Sequence, residues 1–238
     1  MTFAPADISA RHVARLDLSF APKPWPFAEA RRAEIDAHFA VRKRARPALW
    51  NGRVLLLHRH EFTGDIFRGA YLPTDFANFL AWRDWGCPPA GVKDCFGAAA
   101  ILAADGAFLL GVMAAHTANA GRIYFPSGTP DADDIVAGRV DLAASIAREL
   151  VEETGLDAGS FAAEPGWCTV MEGAIVAQIK ILRSHLPAEP LRRLILDRLA
   201  GEKQPELADI RIVRGPADFD PLMPRFVTAF LQKRFDGK

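Results

Sequence analysis

The chain has 238 residues, half of them apolar and about a quarter charged, with 29 Lys+Arg balanced by 29 Asp+Glu. That length suits one large domain or a core with an added subdomain, and the zero net charge argues against a global field aimed at nucleic acid or membrane. Cys87, Cys95 and Cys168 are odd in number and widely spaced, with no Cys-x-x-Cys pair, which argues against a disulfide framework or structural zinc site and fits a reducing cytoplasm.

Met1 to Phe20 lacks a basic start followed by an apolar core, so no secretory leader is expected there. No stretch carries the run of apolar residues needed to span a bilayer. Residues 1–90 read as an N-terminal α+β extension. Within it, Val13 to Phe20 alternates loosely as a strand does, the prolines at 22, 24 and 26 break it, and Phe27 to Arg44 has helical periodicity. Asn51-Gly52 reads as a turn before a strand through Val54–Leu57, and Thr74 or Asp75 as the cap of a helix carrying Phe76, Phe79, Leu80 and Trp82. Cys87-Pro88-Pro89 with Gly91 is the best boundary, and 91–238 would form the second domain.

From Phe96 the pattern changes. Ala98–Leu102 and Phe108–Met113 flank Asp105-Gly106, the signature of a β-hairpin. Ile123–Phe125 is a short strand running into Pro126-Ser127-Gly128. Asp141 is placed to cap a helix in which Leu142, Ile146 and Leu150 recur every four residues, and Gly155 suits the left-handed position past its end. Strands follow at about Cys168–Met171 and Ala174–Leu182, then a helix over Pro190–Ala200, a strand over Asp209–Val213 and a last helix over Pro224–Phe235.

The densest information lies in Arg148-Glu149-Leu150-Val151-Glu152-Glu153-Thr154-Gly155-Leu156. Glu149, Glu152 and Glu153 stand at i, i+3 and i+4, so their side chains share one side of the helix. Like charges that close repel unless a cation sits among them. Mg²⁺ binds through a few carboxylates plus the phosphates of a substrate. A solvated acidic face is the plainer reading of such spacing. Here, however, the match takes in an arginine, two aliphatic positions and a terminal glycine, and composition alone would produce it on the order of once in 10⁵ chains of this size.

This stretch resembles the second half of the Nudix box, Gly-x5-Glu-x7-Arg-Glu-U-x-Glu-Glu-x-Gly-U with U aliphatic. The resemblance covers roughly residues 96–238. It implies an α/β (α+β) fold, a Nudix-type α/β/α sandwich with a mixed sheet, and Mg²⁺- or Mn²⁺-dependent hydrolysis of a pyrophosphate bond in a nucleoside diphosphate linked to another moiety. On the family's pattern Glu152 and Glu153 are the principal metal ligands. Glu149 ligates metal or helps activate water, and Arg148 orients a glutamate through an ion pair. Ser127 or Gly128 stands where a backbone carbonyl completes the metal shell. Glu172, at a predicted strand end, is the candidate for an assisting carboxylate outside the box, with Glu164 behind it, and Arg122 is the preferred phosphate contact. The implied partner is a small nucleoside-diphosphate substrate in a cytoplasmic protein, with no nucleic acid and no membrane, and homodimers are frequent among such enzymes.

The chain departs from the pattern in three places. Gly128 lies twenty residues before Arg148 where the box has fourteen, so the loop carries about six extra residues. The box glutamate is replaced by Val140, and the doubled glycine by Ser127-Gly128. Arg148 therefore needs another partner, for which Asp133 and Asp134 are candidates, although a solvated acidic loop explains both. The helix at Thr74-Asp75-Phe76-x-x-Phe79-Leu80 with Asp84-Trp85-Gly86 resembles the amino-terminal part of Nudix enzymes that hydrolyse UDP-sugars. Gly121-x3-Phe125-Pro126-Ser127-Gly128 is similar to part of the coenzyme A pyrophosphatase motif, whose upstream arginine is here Thr117. A nucleotide sugar ranks first as substrate and coenzyme A derivatives second. A catalytically weak sensing or interaction module is the alternative of another class.

Other chemistry-bearing residues have plainer explanations. His58 and His60 on one strand face lack a third ligand, Arg42-Lys43-Arg44 with Arg46 complements a helix C-terminus, and Trp82 and Trp85 at helical spacing read as core.

Overall fold

The computed structural model describes residues 7–47 and 49–237; Met1–Ala6, where the reading of a missing leader begins, and positions 48 and 238 lie outside them. The chain has an α/β fold and divides into two compact units, each built from separated segments. Of the described residues, one unit contains those up to Arg15, Phe96–Gly128 and those from Leu142 onward; the other contains those of Leu16–Cys95 and Thr129–Asp141. The expected linear division at 90/91 differs from this partition in three respects, the first being that the boundary falls after Cys95. The strand Ile8–Val13 joins the first unit, pairing antiparallel with Trp167–Glu172. Residues 129–141 join the second.

The first unit is built on a sheet whose main path runs Ile8–Val13, Trp167–Glu172, Ile175–Arg183, Asp94–Leu102, Phe108–Met113 and Leu207–Val213. The Asp-Gly hairpin forms as expected, with Leu102 opposite Phe108 and Gly106 at φ +84. Successive residues of a strand face opposite sides of a sheet, and Phe96 and Gly97 use this to seat helices on both. The Phe96 ring meets Phe226 edge-on at 5.5 Å, in the helix Arg225–Asp236. On the other face, Gly97 lies against Ile146 of the helix Leu142–Thr154. The helix Ala188–Leu199 sits beside the latter, where Arg198 Nη1 donates to the Gly155 carbonyl. Helices therefore flank both faces of the sheet, an α/β/α sandwich. Leu142, Ile146 and Leu150 are buried as their spacing requires, and Gly155 ends the helix at φ +67.

The second unit has a five-stranded sheet in the order Arg53–Thr63, Ile66–Asp75, Arg15–Phe20, Arg139–Val140 and Ile135–Val136. The strand Ile66–Asp75 was not foreseen; its signal is Gly64-Asp65, a two-residue loop that turns the chain with Gly64 at φ +60. The loop insertion ends in a hairpin whose central residues, Ala137 and Gly138, both have positive φ (+49 and +77). The anticipated helix over 27–44 breaks at Arg31 into Pro26–Ala30 and Arg32–Ala45. Asp75 occupies the N-cap position of the helix Phe76–Asp84 without a side-chain capping bond, and the first turn is capped from a distance instead: Ala77 N–H donates to Asn51 Oδ1 at 2.8 Å. Trp82 is buried in this unit's own core, edge-on to Trp25 at 6.2 Å, and Trp85 lies under the Arg31 guanidinium.

Two outcomes follow from this packing. A Cβ on Gly97 would stand 2.7 Å from Ile146 Cγ1 and 3.2 Å from the Leu142 carbonyl oxygen, so Gly97→Ala should lower stability by roughly 1–3 kcal/mol through overpacking, measured by denaturant unfolding. In the second unit, Asp94 Oδ1 accepts from Thr129 Oγ1 at 3.2 Å, and burial pushes its carboxyl up to about 6, against Arg83 and Thr129, which pull it down. Between the ordinary carboxyl range near pH 4 and about pH 6 the folded state holds more protons than the unfolded one, so this group's stabilisation is lost as pH rises through that window. Asp94→Asn should remove that decline and melt above wild type at pH 7.5; an unchanged pH profile would contradict the assignment.

Candidate active site

The acidic helix presents its three carboxylates at graded depths. Glu153 is 2% exposed, the Glu149 side chain 16% and that of Glu152 55%. The gradient follows from geometry: Leu150 and Ile146 point the helix into the core, Glu153 lies nearest that stripe, and Glu152 lies farthest round.

Glu153 is anchored on one side only. Its Oε1 accepts from the Ser127 backbone N–H at 3.1 Å, while Oε2 is buried with no hydrogen-bond partner. Burial pushes its carboxyl well above the usual range, and the charges of Glu149, Glu206 and Glu152 push further in the same direction, against the Ser127 hydrogen bond. Glu206, just before the strand Leu207–Val213, is a fourth carboxylate in this field that no local pattern in the sequence marks. Ser127 thus contributes a backbone donor, in a two-residue strand (Ser127–Gly128) paired with Gly97 and Ala98.

Glu149 rests directly on Gly128. A Cβ there would fall 2.1 Å from Glu149 Oε1, so only glycine lets the carboxylate occupy this position. Arg148 Nη1 lies 3.1 Å from Glu149 Oε1 and 3.7 Å from Glu152 Oε2, bridging the two on the helix surface. The residue at the box-glutamate position, Val140, is buried in the second unit's sheet opposite Ile135, a setting that would penalise a charge. Asp131 and Asp134 have a local task, capping the short turn at 132–134: Asp131 Oδ1 accepts from Asp133 N–H and Asp134 Oδ2 from Asp131 N–H. Asp133, proposed with Asp134 as a partner for Arg148, is exposed.

Glu172 is committed elsewhere. Its carboxylate pairs at 2.9 Å with Arg225, at the start of the helix on the opposite face of the sheet from the acidic one. Glu164 receives Arg183 at 2.6 Å and Arg234 at 3.5 Å. Arg122 is exposed just before the strand Ile123–Tyr124. One helical turn before Glu149, the Ser145 hydroxyl is buried without a partner, a feature hidden among small residues in the sequence. The two histidines have separate structural tasks: His58, at the register shift between Leu57 and Arg59, bonds the Ala21 carbonyl, and His60, beyond it, stacks on Phe67.

Among the described residues no three His, Cys, Asp or Glu side chains form a ready cage for a metal ion. The donor set still fits one hydrated divalent cation, because Mg²⁺ keeps several waters and takes only one or two carboxylates from the protein. Glu153 Oε2, buried and unpartnered, and Glu149, held in the glycine cradle, are the two that suit it, with Glu152 at the rim. A cation there would supply the charge whose lack drives the Glu153 carboxyl toward its protonated form.

No protein-family model matches the chain, and no curated protein matches it significantly. Two of the solved structures it resembles are a Nudix hydrolase from M. smegmatis, RenU, and a bifunctional NMN adenylyltransferase/ADP ribose pyrophosphatase from Francisella tularensis complexed with AMP and a Mn ion. The first has 16% identity and a TM-score of 0.39 over 60% of this chain and 83% of that one. The second has 16% identity and a TM-score of 0.35 over 56% of this chain and 37% of that one. Likenesses this remote carry no argument about chemistry, which rests on the residues above.

Gly128→Ala should drive the Glu149 carboxylate off its seat. Because the clash falls on the end of a flexible side chain, stability should change by less than about 1 kcal/mol. Mn²⁺ binding, followed by electron paramagnetic resonance, should weaken about tenfold or more. Binding equal to wild type would remove Glu149 from the site.

Proposed function

We propose that the chain is a Nudix-type hydrolase that uses a divalent cation to cut the pyrophosphate bond of a nucleoside diphosphate linked to another moiety. The observation that carries this reading is the Glu153 carboxylate, buried with Oε2 unpartnered beside a Glu149 that Gly128 alone admits. Glu152, Glu153 and Glu149 would hold Mg²⁺ or Mn²⁺, and Arg148 would keep Glu149 and Glu152 oriented. When bound, the cation supplies charge neutralisation on the phosphoryl oxygens and an acidified water. The chain's own part is to hold the carboxylates in place: the Ser127 N–H fixes one oxygen of Glu153 and leaves the other for the metal.

For the second moiety the reading is a sugar, resting on the resemblance of Thr74–Leu80 and Asp84-Trp85-Gly86 to the amino-terminal part of UDP-sugar hydrolases. Coenzyme A derivatives come second, on the partial motif that ends at Gly128. Arg122, exposed beside the strand Ile123–Tyr124, is the proposed phosphate contact. Among the described residues no helix is long and apolar enough to cross a membrane.

The test is product release from UDP-sugars, ADP-ribose, NADH, dNTPs and coenzyme A with Mg²⁺, Mn²⁺ or EDTA, with nucleotide products identified by mass. Metal-dependent cleavage of one class is expected, and Glu153→Gln should lower kcat at least about a hundredfold. The same variant, freed of a buried charge, should melt at or above wild type in EDTA. Nucleotide binding without turnover across the panel would overturn the hydrolase in favour of a sensing module.

A further inference from the structure

We propose that the second unit holds a separate site for a small phosphorylated molecule that also offers an N–H or O–H donor. The place is a cavity of about 400 Å³ lined in part by Lys23, Trp25, Arg32, Arg53, Thr74 and Asn78, a volume in the range of small-ligand sites. Its walls are firm. Pro22 and Pro24 fix the chain on either side of Lys23, and Trp25 is anchored by its Nε1–H, which donates to the Ala90 carbonyl at 2.9 Å.

Two features of the lining point to a ligand. The first is charge: Lys23, Arg32 and Arg53 face only Glu29 and Asp75 in the wall. Asp75 is shared by Arg53 at 3.4 Å and Arg32 at 3.9 Å, long contacts between exposed groups that hold them weakly. Two guanidinium forks and an ammonium outnumber the two carboxylates, Glu29 and Asp75, and a phosphate accepts guanidinium donors in pairs. The second is Asn78, 4% exposed. Its Nδ2 donates to Thr74 Oγ1 at 2.9 Å, but its Oδ1 is buried without a partner. Buried polar atoms are satisfied almost without exception because an orphan costs free energy. Asn78 lines the cavity with Oδ1 turned inward, and in the proposed complex the side chain would rotate so that Oδ1 accepts a ligand N–H or O–H. Nucleoside monophosphates and sugar phosphates share this chemistry.

Calorimetric titration of the whole chain in EDTA, which silences the acidic helix, with AMP, glucose 1-phosphate and inorganic phosphate tests the site. One organic phosphate should bind at least about tenfold tighter than inorganic phosphate, Asn78→Leu should weaken it about tenfold, and Arg53→Ser several-fold. Glu153→Gln should bind as wild type does, which keeps this result independent of the hydrolase reading. Binding of AMP alone or of glucose 1-phosphate alone supports the site and names its ligand. The proposal falls if no organic phosphate binds below about 10 mM, if inorganic phosphate binds equally well, or if Arg53→Ser binds as wild type. It falls equally if Asn78→Leu gains thermal stability with binding unchanged. Arg53 is an exposed position, so its variant decides the matter even where Asn78→Leu fails to fold.

Discussion

A carboxylate kept from water with one oxygen bonded and the other bare is an expensive group for a protein to maintain. Glu153 is in that position, and around it stand Glu149, Glu152 and Glu206, each adding repulsion. Nothing in folding alone rewards the arrangement, since an apolar residue at 153 would spare the desolvation and the repulsion together. Burial and the neighbouring carboxylates push the Glu153 carboxyl up, which eases the repulsion without explaining why it was built. A divalent ion would relieve it, and the three carboxylates of the helix stand at matching depths: one deep, one half-buried and one at the rim tied by Arg148.

The precision of this helix depends on two glycines in one pair of strands. Gly97 and Gly128 face each other across the ladder. Gly97 lets Ile146 come down onto the sheet, which fixes the helix axis, and Gly128 lets the Glu149 carboxylate touch the backbone. Neither glycine needs a positive φ here; both are required for closeness rather than for conformational freedom. The Ser127 N–H that anchors Glu153 belongs to the same short strand, so helix and carboxylates are registered against one pair of strands.

Much of this was legible in the sequence because it is local. The period of Leu142, Ile146 and Leu150, the acidic triplet, the glycine at 155 and the Asp-Gly hairpin each declare themselves within a dozen residues, and each is found. What was not legible depends on partners far along the chain. Val140 reads as a missing glutamate until its burial opposite Ile135 supplies a reason for valine. Glu172 reads as a free carboxylate at a strand end until Arg225, more than fifty residues later, meets it. The strand Ile8–Val13 gives no sign that its partner is Trp167–Glu172, because strand pairing is decided by register and burial rather than by local composition. Ile66–Asp75 is different: Gly64-Asp65 was a sufficient signal, and the loss of alternation in its buried middle concealed it.

The hairpin at Ile135–Val140 also has a consequence in time. The second unit's sheet takes its last two strands from residues that follow its first three by about sixty positions, with Phe96–Gly128 belonging to the other unit in between. Closing such a long loop is entropically slow, and contacts of high sequence separation form late. On the ribosome, the strand Arg15–Phe20 therefore waits with one edge open until residues 139–140 emerge. The same few residues lead directly into the acidic helix, so closure of that edge and delivery of the helix to its place on the other sheet follow one another along the chain.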